Sequence, residues 1–167
     1  WDVSSTDFRT GIPLTLGLGP FQAKLAYYHL CSHLADEYMI RHPDATRINY
    51  VRDAVVLGVS YDLTDDLRIY AESGWSFNTD GGAEPWEFQF GIDYCPRASR
   101  GLLGSPYLAV NAHLREELDF AGHVVTQVGW QWRGGSGQLL RTGLQYFNGK
   151  TSQYEFLNEH EESVGWG

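Results

Sequence analysis

The segment AKLAYYHLCSHLADEYMIRHP, residues 23–43, brings His29, Ser32, His33, Asp36 and Glu37 close together in sequence, with Cys31 among them. These residue types serve two chemistries. A histidine takes the proton of a serine hydroxyl when an acidic group orients its ring, which would make His29 the base, Ser32 the nucleophile and Glu37 the orienter. Imidazoles with a carboxylate also hold divalent metals, here His29 and His33 with Asp36 or Glu37. Both readings depend on the element that carries the segment. On a strand, residues three apart point to opposite faces, which separates His29 from Ser32. His29 and His33 would share a face but lie roughly 13 Å apart, too far for one ion. We therefore expect no metal and no cofactor. A second polar set, Asn111, His113, Arg115 and Glu116 with Glu117, ends the segment YLAVNAHLREE. Arg52 and Asp53 open another segment, and Asn148 and Lys150 close one.

The elements that must position these groups read as strands. In LRIYAESGWSF, Leu67, Ile69, Ala71, Ser73, Trp75 and Phe77 alternate with Arg68, Tyr70, Glu72, Gly74 and Ser76. WEFQFGIDY, HVVTQVGWQW and LLRTGLQYF repeat the scheme. Period-two alternation of this kind gives a strand one apolar and one polar face. Gly, Pro and Asp punctuate the chain at 17–20, 62–66, 96–106 and 133–137, while longer polar connections fall at 34–50, 78–85, 115–122 and 148–160. Turns and longer connections alternate, as in an antiparallel up-and-down meander of about eight strands and a shortened last one. No linker divides residues 1–167, so one domain is expected. Pro13 cannot donate to a ladder and belongs at a bulge or a sheet edge.

With 12 Lys+Arg against 21 Asp+Glu the net charge is -9. A nucleic-acid partner is excluded, because phosphate neutralisation needs a basic face. Two cysteines make no disulfide framework, and the topology puts Cys31 and Cys95 at opposite ends of the sheet, out of bonding range. The chain lacks an initiator Met and its last residues, EESVGWG, read as a strand cut short, so a portion of a longer protein is expected.

Which face is the core decides the class. Segments of about 9–11 residues suit tilted strands crossing a bilayer. Aromatics gather at segment ends (Tyr61, Trp75, Phe77, Trp86, Tyr94, Trp130, Trp132 and Tyr146), as interfacial belts require. The polar face carries Arg68, Glu72, Glu87, Gln89, Asp93, Gln131, Arg141 and Gln145, interspersed with glycines. A water-filled lumen of mixed sign accommodates that set, and a strongly selective pore would show one sign. The expected architecture is an all-β, antiparallel transmembrane β-barrel, monomeric, partnered by bilayer lipid, located in the bacterial outer membrane, and passing or binding a small solute. The alternatives are a lipid-modifying hydrolase at the rim, similar to lipid-A deacylases, and a soluble lipocalin-like ligand-binding barrel. On the barrel, the polar residues of 29–37, 52–53, 111–117 and 148–150 would converge on one outer mouth, in the plainest reading a solvated, ion-paired rim that anchors the longer connections.

The runs GPFQAKLAYYHLCSHLADEYMIR, RINYVRDAVVLGVSYDLTDDLRIYAESG, GGAEPWEFQFGIDY, VNAHLREELDF, GWQWRG and LQYFNGKTSQYEF resemble a family of bacterial envelope proteins, the domain of unknown function number twelve-oh-seven. The resemblance covers nearly the whole chain. It implies an outer-membrane barrel of greater length and implies no reaction. The family's first block reads His-Leu-Ser-Ser-His, where this chain has Cys31 in place of the first Ser.

Overall fold

The computed structural model describes residues 3–98 and 101–167. Nine strands follow one another: β1 (Ser5–Leu18), β2 (Phe21–Leu34), β3 (Val51–Asp62), β4 (Leu67–Asp80), β5 (Trp86–Tyr94), β6 (Ser105–Arg115), β7 (Gly122–Arg133), β8 (Leu139–Lys150) and β9 (His160–Trp166). Each pairs antiparallel with the next in one sheet of order β1 to β9. Among the described residues β1 and β9 do not pair, so the sheet is not closed. Most strands exceed the expected segment length; β1, β2 and β4 each have 14 residues. Helix α1 (Asp36–Arg41) interrupts the β2–β3 connection, and 3-10 turns occupy Gly101–Leu103, Glu116–Leu118 and Tyr154–Phe156. No described helix is long and apolar enough to cross a membrane, which says nothing about strands.

Pro13 faces Ala26 in an unbroken β1–β2 register. It sits on an edge strand, where a missing N–H costs no ladder bond. The connections at 19–20, 63–66 and 134–138 are tight, as expected. The connection at 95–104 is longer than those at 81–85 and 116–121 of the opposite end, so length alone does not separate the two ends. The turn expected over 96–106 includes Ser99 and Arg100, which lie outside the described residues, as do Trp1 and Asp2 of the opening.

Alternation sorts the side chains as the sequence predicts. On one face Leu57, Phe90, Val128 and Leu144 are exposed, Leu57 to 60%. On the other lie Glu72, Glu87, Gln131 and the glycines. Arg9 of β1 and His123 of β7 line the same cavity, so the sheet curls toward its polar face. That face is inner and the apolar one outer. The close approach this demands fixes Gly91. A Cβ there would come within 2.3 Å of the Val110 carbonyl and 2.5 Å of the Tyr70 hydroxyl.

The packed core is not at mid-sheet but at the end bearing the β2–β3 connection. Tyr28, Leu30, Ala54 and Val56 meet Tyr50, Ala83, Leu118 and Leu157 there, with Ile48 and Tyr154 against them. Four connections thus fold back over the inner face, burying apolar side chains too sparse to form a core within the strands. Glu155 ties two of them together, accepting from the Ile48 and Asn49 N–H groups at 2.9 Å each.

Candidate functional site

Beneath these connections lies a buried polar network. Arg52, wholly buried, enters from the start of β3. Its Nε donates to Ser76 Oγ at 2.7 Å, its Nη1 to the Tyr50 hydroxyl at 3.2 Å and to Glu87 Oε2 at 3.4 Å. Its Nη2 donates to the Glu84 and Pro85 carbonyls at 3.3 and 3.2 Å. Glu87 is the acidic hub: it also accepts from the Tyr28 hydroxyl and lies 3.0 Å from His113 Nε2. Glu117 accepts from Tyr50 at 3.0 Å and faces Arg115 Nε at 3.8 Å. Arg115 Nη2 donates to the Thr151 carbonyl, and its guanidinium lies 5.0 Å over the Tyr154 ring. Burial pushes the Tyr50 and Tyr154 phenols up, which keeps both neutral.

The network roofs a cavity of about 210 Å³, lined by Arg9, Glu72, Gln89, Asn111, His113 and Arg115 among others. Asn111 donates to the Tyr70 hydroxyl at 2.7 Å. A second cavity, about 270 Å³, opens at the opposite end of the sheet between Arg68, Asp93, Cys95, Arg97 and Arg141. Arg68 pairs with Asp93. Lys24 pairs with Glu72, and Arg97 with Asp62 at 2.6 Å. Arg141 donates to Cys95 Sγ at 3.0 Å and lies 5.0 Å over Tyr107. Gln131 donates to the Pro96 carbonyl at 2.9 Å, and Gln145 accepts from Gln127 at 2.6 Å. The inner face is therefore lined by ion pairs and amide contacts arranged around these two cavities.

The single mouth expected from the sequence divides into two places. Asn111, His113, Arg115 and buried Ser32 lie on the inner face, Ser32 donating to Asp7. His29 and His33 belong to the outer face with Cys31, and His29 Nδ1 sits 2.9 Å from Asp53 Oδ1. Asp36 and Glu37 start helix α1, clear of both. Asp36 pairs with Arg47 at 2.9 Å, and Glu116 accepts from the Trp86 N–H at 2.8 Å. The proposed base, nucleophile and orienter therefore do not meet, because the strand stays regular between His29 and Ser32. No group of three His, Cys, Asp or Glu side chains among the described residues could hold a metal. Both cysteines are free.

Sequence reasoning placed Arg52 and Asp53 at the right level without assigning either a role. Alternation through VRDAVVLGV puts Arg52 inside and Asp53 outside; their partners needed the register. Tyr50, Tyr154 and Glu155 gave no signal, since connections carry no periodicity.

No curated protein and no solved structure matches the chain. One family model, described as "Protein of unknown function (DUF1207)", matches residues 1–167. With the model spanning every residue of the sheet, its connections and both polar regions, this chain belongs to the DUF1207 family.

Proposed function

We propose that the chain is the wall of a bacterial outer-membrane β-barrel whose polar lumen binds small solutes. The observation that carries this reading is sidedness. The outer face exposes Ile12, Leu14, Leu57, Phe90, Val128 and Leu144, while ion pairs and amides fill the inner face. A soluble barrel buries the opposite set. A soluble monomer rarely exposes a contiguous apolar patch of more than a few hundred Å², whereas here exposed apolar side chains recur on every strand from β1 to β9.

Dimensions agree. Outward aromatics bracket the strands, with Trp86 at one end of β5 and Tyr94 at the other. At roughly 3.4 Å per residue and 40° of tilt that span gives about 20 Å of height, close to the ~25 Å apolar band of such barrels. Parity adds a requirement. In a nine-strand meander β1 and β9 run in the same direction, so closing an antiparallel barrel takes an odd number of further strands.

Binding is favoured over open passage because the connections and the Arg52–Glu87 network cover one end of the inner face. The protein should show heat-modifiable gel mobility in detergent and resist carbonate extraction from vesicles. Planar bilayers should give low or no conductance. Release into the carbonate supernatant would refute the membrane assignment; large steady pore currents would refute the covered lumen.

A further inference from the structure

We propose that the outer face carries a hydrolytic centre for lipid acyl esters, with Cys31 as nucleophile, His29 as its base and Asp53 orienting the ring. The proposal rests on the membrane reading above and gives the lipid-facing surface a role of its own.

His29 and Asp53 are directly opposed in the β2–β3 register, and Nδ1 lies 2.9 Å from Oδ1. With Nδ1 committed to the carboxylate, Nε2 is the free nitrogen, and the imidazole is 38% exposed. Asp53 is held from two more sides, by the Tyr27 hydroxyl at 2.7 Å on Oδ1 and by Asn78 Nδ2 at 2.8 Å on Oδ2. Asn78 is there only because the β3–β4 register breaks. Asp53 pairs with Asn78 but Ala54 pairs with Ser76, leaving Phe77 as the extra residue. Regular alternation from buried Ser76 would send Asn78 inward; the bulge turns it out onto Asp53. Bulges that re-aim a side chain recur beside active sites.

A carboxylate on a surface facing lipid is costly and marks function more often than packing. A mere brace between β2 and β3 would need neither an orienting third group nor a free imidazole nitrogen. Cys31 supplies what the pair lacks. It follows His29 by two residues on the same face, roughly 6.5–7 Å away between Cα atoms. No hydrogen bond joins the two side chains in this structure, and rotation about their χ angles is what would bring thiol to imidazole; such contacts often tighten only with substrate. The level fits the substrate. Trp75, Phe77 and Trp86 project outward beside the site, as in an interfacial belt, at the depth where acyl chains meet their ester linkages.

The reaction is redox-neutral. His29 Nε2 takes the Cys31 thiol proton, and the thiolate attacks the ester carbonyl. The tetrahedral intermediate collapses to a Cys31 thioester while the imidazolium returns the proton to the leaving alkoxide. His29 then deprotonates a water, which attacks the thioester. Carboxylic acid leaves and the thiol is restored. Ester and water become acid and alcohol.

The test uses the full protein in detergent micelles and in phospholipid vesicles, with p-nitrophenyl dodecanoate as probe. Heat-modifiable mobility is scored for every sample. Expected results are nitrophenolate release, a dodecanoyl adduct on the Cys31 peptide by mass spectrometry, and loss of the adduct in Cys31→Ala. His29→Ala and Asp53→Asn should lower the rate about 10²-fold or more, Cys31→Ser should retain part of it, and Ser32→Ala should leave it unchanged. Folded, inserted protein without turnover, or turnover indifferent to Cys31→Ala, would overturn the hydrolytic centre while sparing the membrane reading. Failure to insert would remove both.

Discussion

The Arg52–Glu87 pair offers the sharpest energetic test, because Arg52 is wholly buried and Glu87 nearly so. Consider Arg52→Met, which keeps much of the side-chain volume and removes the charge. Glu87, 8% exposed, loses its guanidinium partner but keeps Tyr28 and His113. The Glu84 and Pro85 carbonyls lose their donor, and so does Ser76 Oγ. Breaking a buried pair from one side costs about 3–5 kcal/mol. An orphaned buried acceptor costs about 1–3 kcal/mol, partly the same loss counted again. Retention of two donors by Glu87 pulls the total toward the middle of the range, about 4 kcal/mol. Glu87→Gln alone should cost about 1–3 kcal/mol, since the amide keeps the shape. The two should not add: once Glu87 is neutral, losing Arg52 strands no charge, and the coupling should reach about 2 kcal/mol. Urea unfolding, followed by tryptophan fluorescence, measures all four corners of the cycle. A cost for Arg52→Met below about 1 kcal/mol, or additivity within about 0.5 kcal/mol, would show that the network is hydrated and the connections do not seal it.

Leu57→Arg, on the exposed outer face, should destabilise the inserted protein by about 2–4 kcal/mol; on a water-facing sheet it would stay within about 0.5 kcal/mol, so a neutral result in vesicles would contradict sidedness. Gly91→Ala drives a methyl into the Val110 carbonyl and the Tyr70 hydroxyl and should cost about 1–3 kcal/mol, checked by the same unfolding assay. It should also break the Asn111–Tyr70 contact, and an unchanged Tyr70 environment by NMR would refute the crowding. Tyr50 tests the roof by pH. Its folded pKa is raised by burial, so the neutral phenol contributes stability fully below the ordinary value near 10, and that contribution is lost as pH rises above it. Urea midpoints should therefore fall above about pH 10, and fall less in Tyr50→Phe; parallel curves for both proteins would place Tyr50 in solvent.

Much of the fold is legible in the sequence. The alternation in WEFQFGIDY and HVVTQVGWQW gave the faces of β5 and β7 residue by residue, because adjacent side chains of a strand must point opposite ways. The same rule separated His29 from Ser32 and disfavoured the serine-based site the sequence first suggests. Pro13 at a bulge or an edge follows from an equally local constraint, its missing N–H, whereas the separation of Cys31 from Cys95 follows from the order of turns along the chain. The connections were not legible. Residues 35–50 and 151–159 carry no period, and their burial over Arg52 and Tyr154 depends on partners distant in the chain.

What the sequence determined, then, is the side that strand residues take wherever the pleat stays regular, and the apolar character of one face. Only the tertiary structure decided who stands beside whom. Pairing His29 with Asp53 requires the β2–β3 register, and bringing Asn78 to them requires one extra residue at Phe77. The physical reason is that facing is set within a strand by the pleat, with a repeat every two residues. Lateral neighbours are set between strands by the length and shape of connections and by bulges, none of which leaves a periodic mark on the chain.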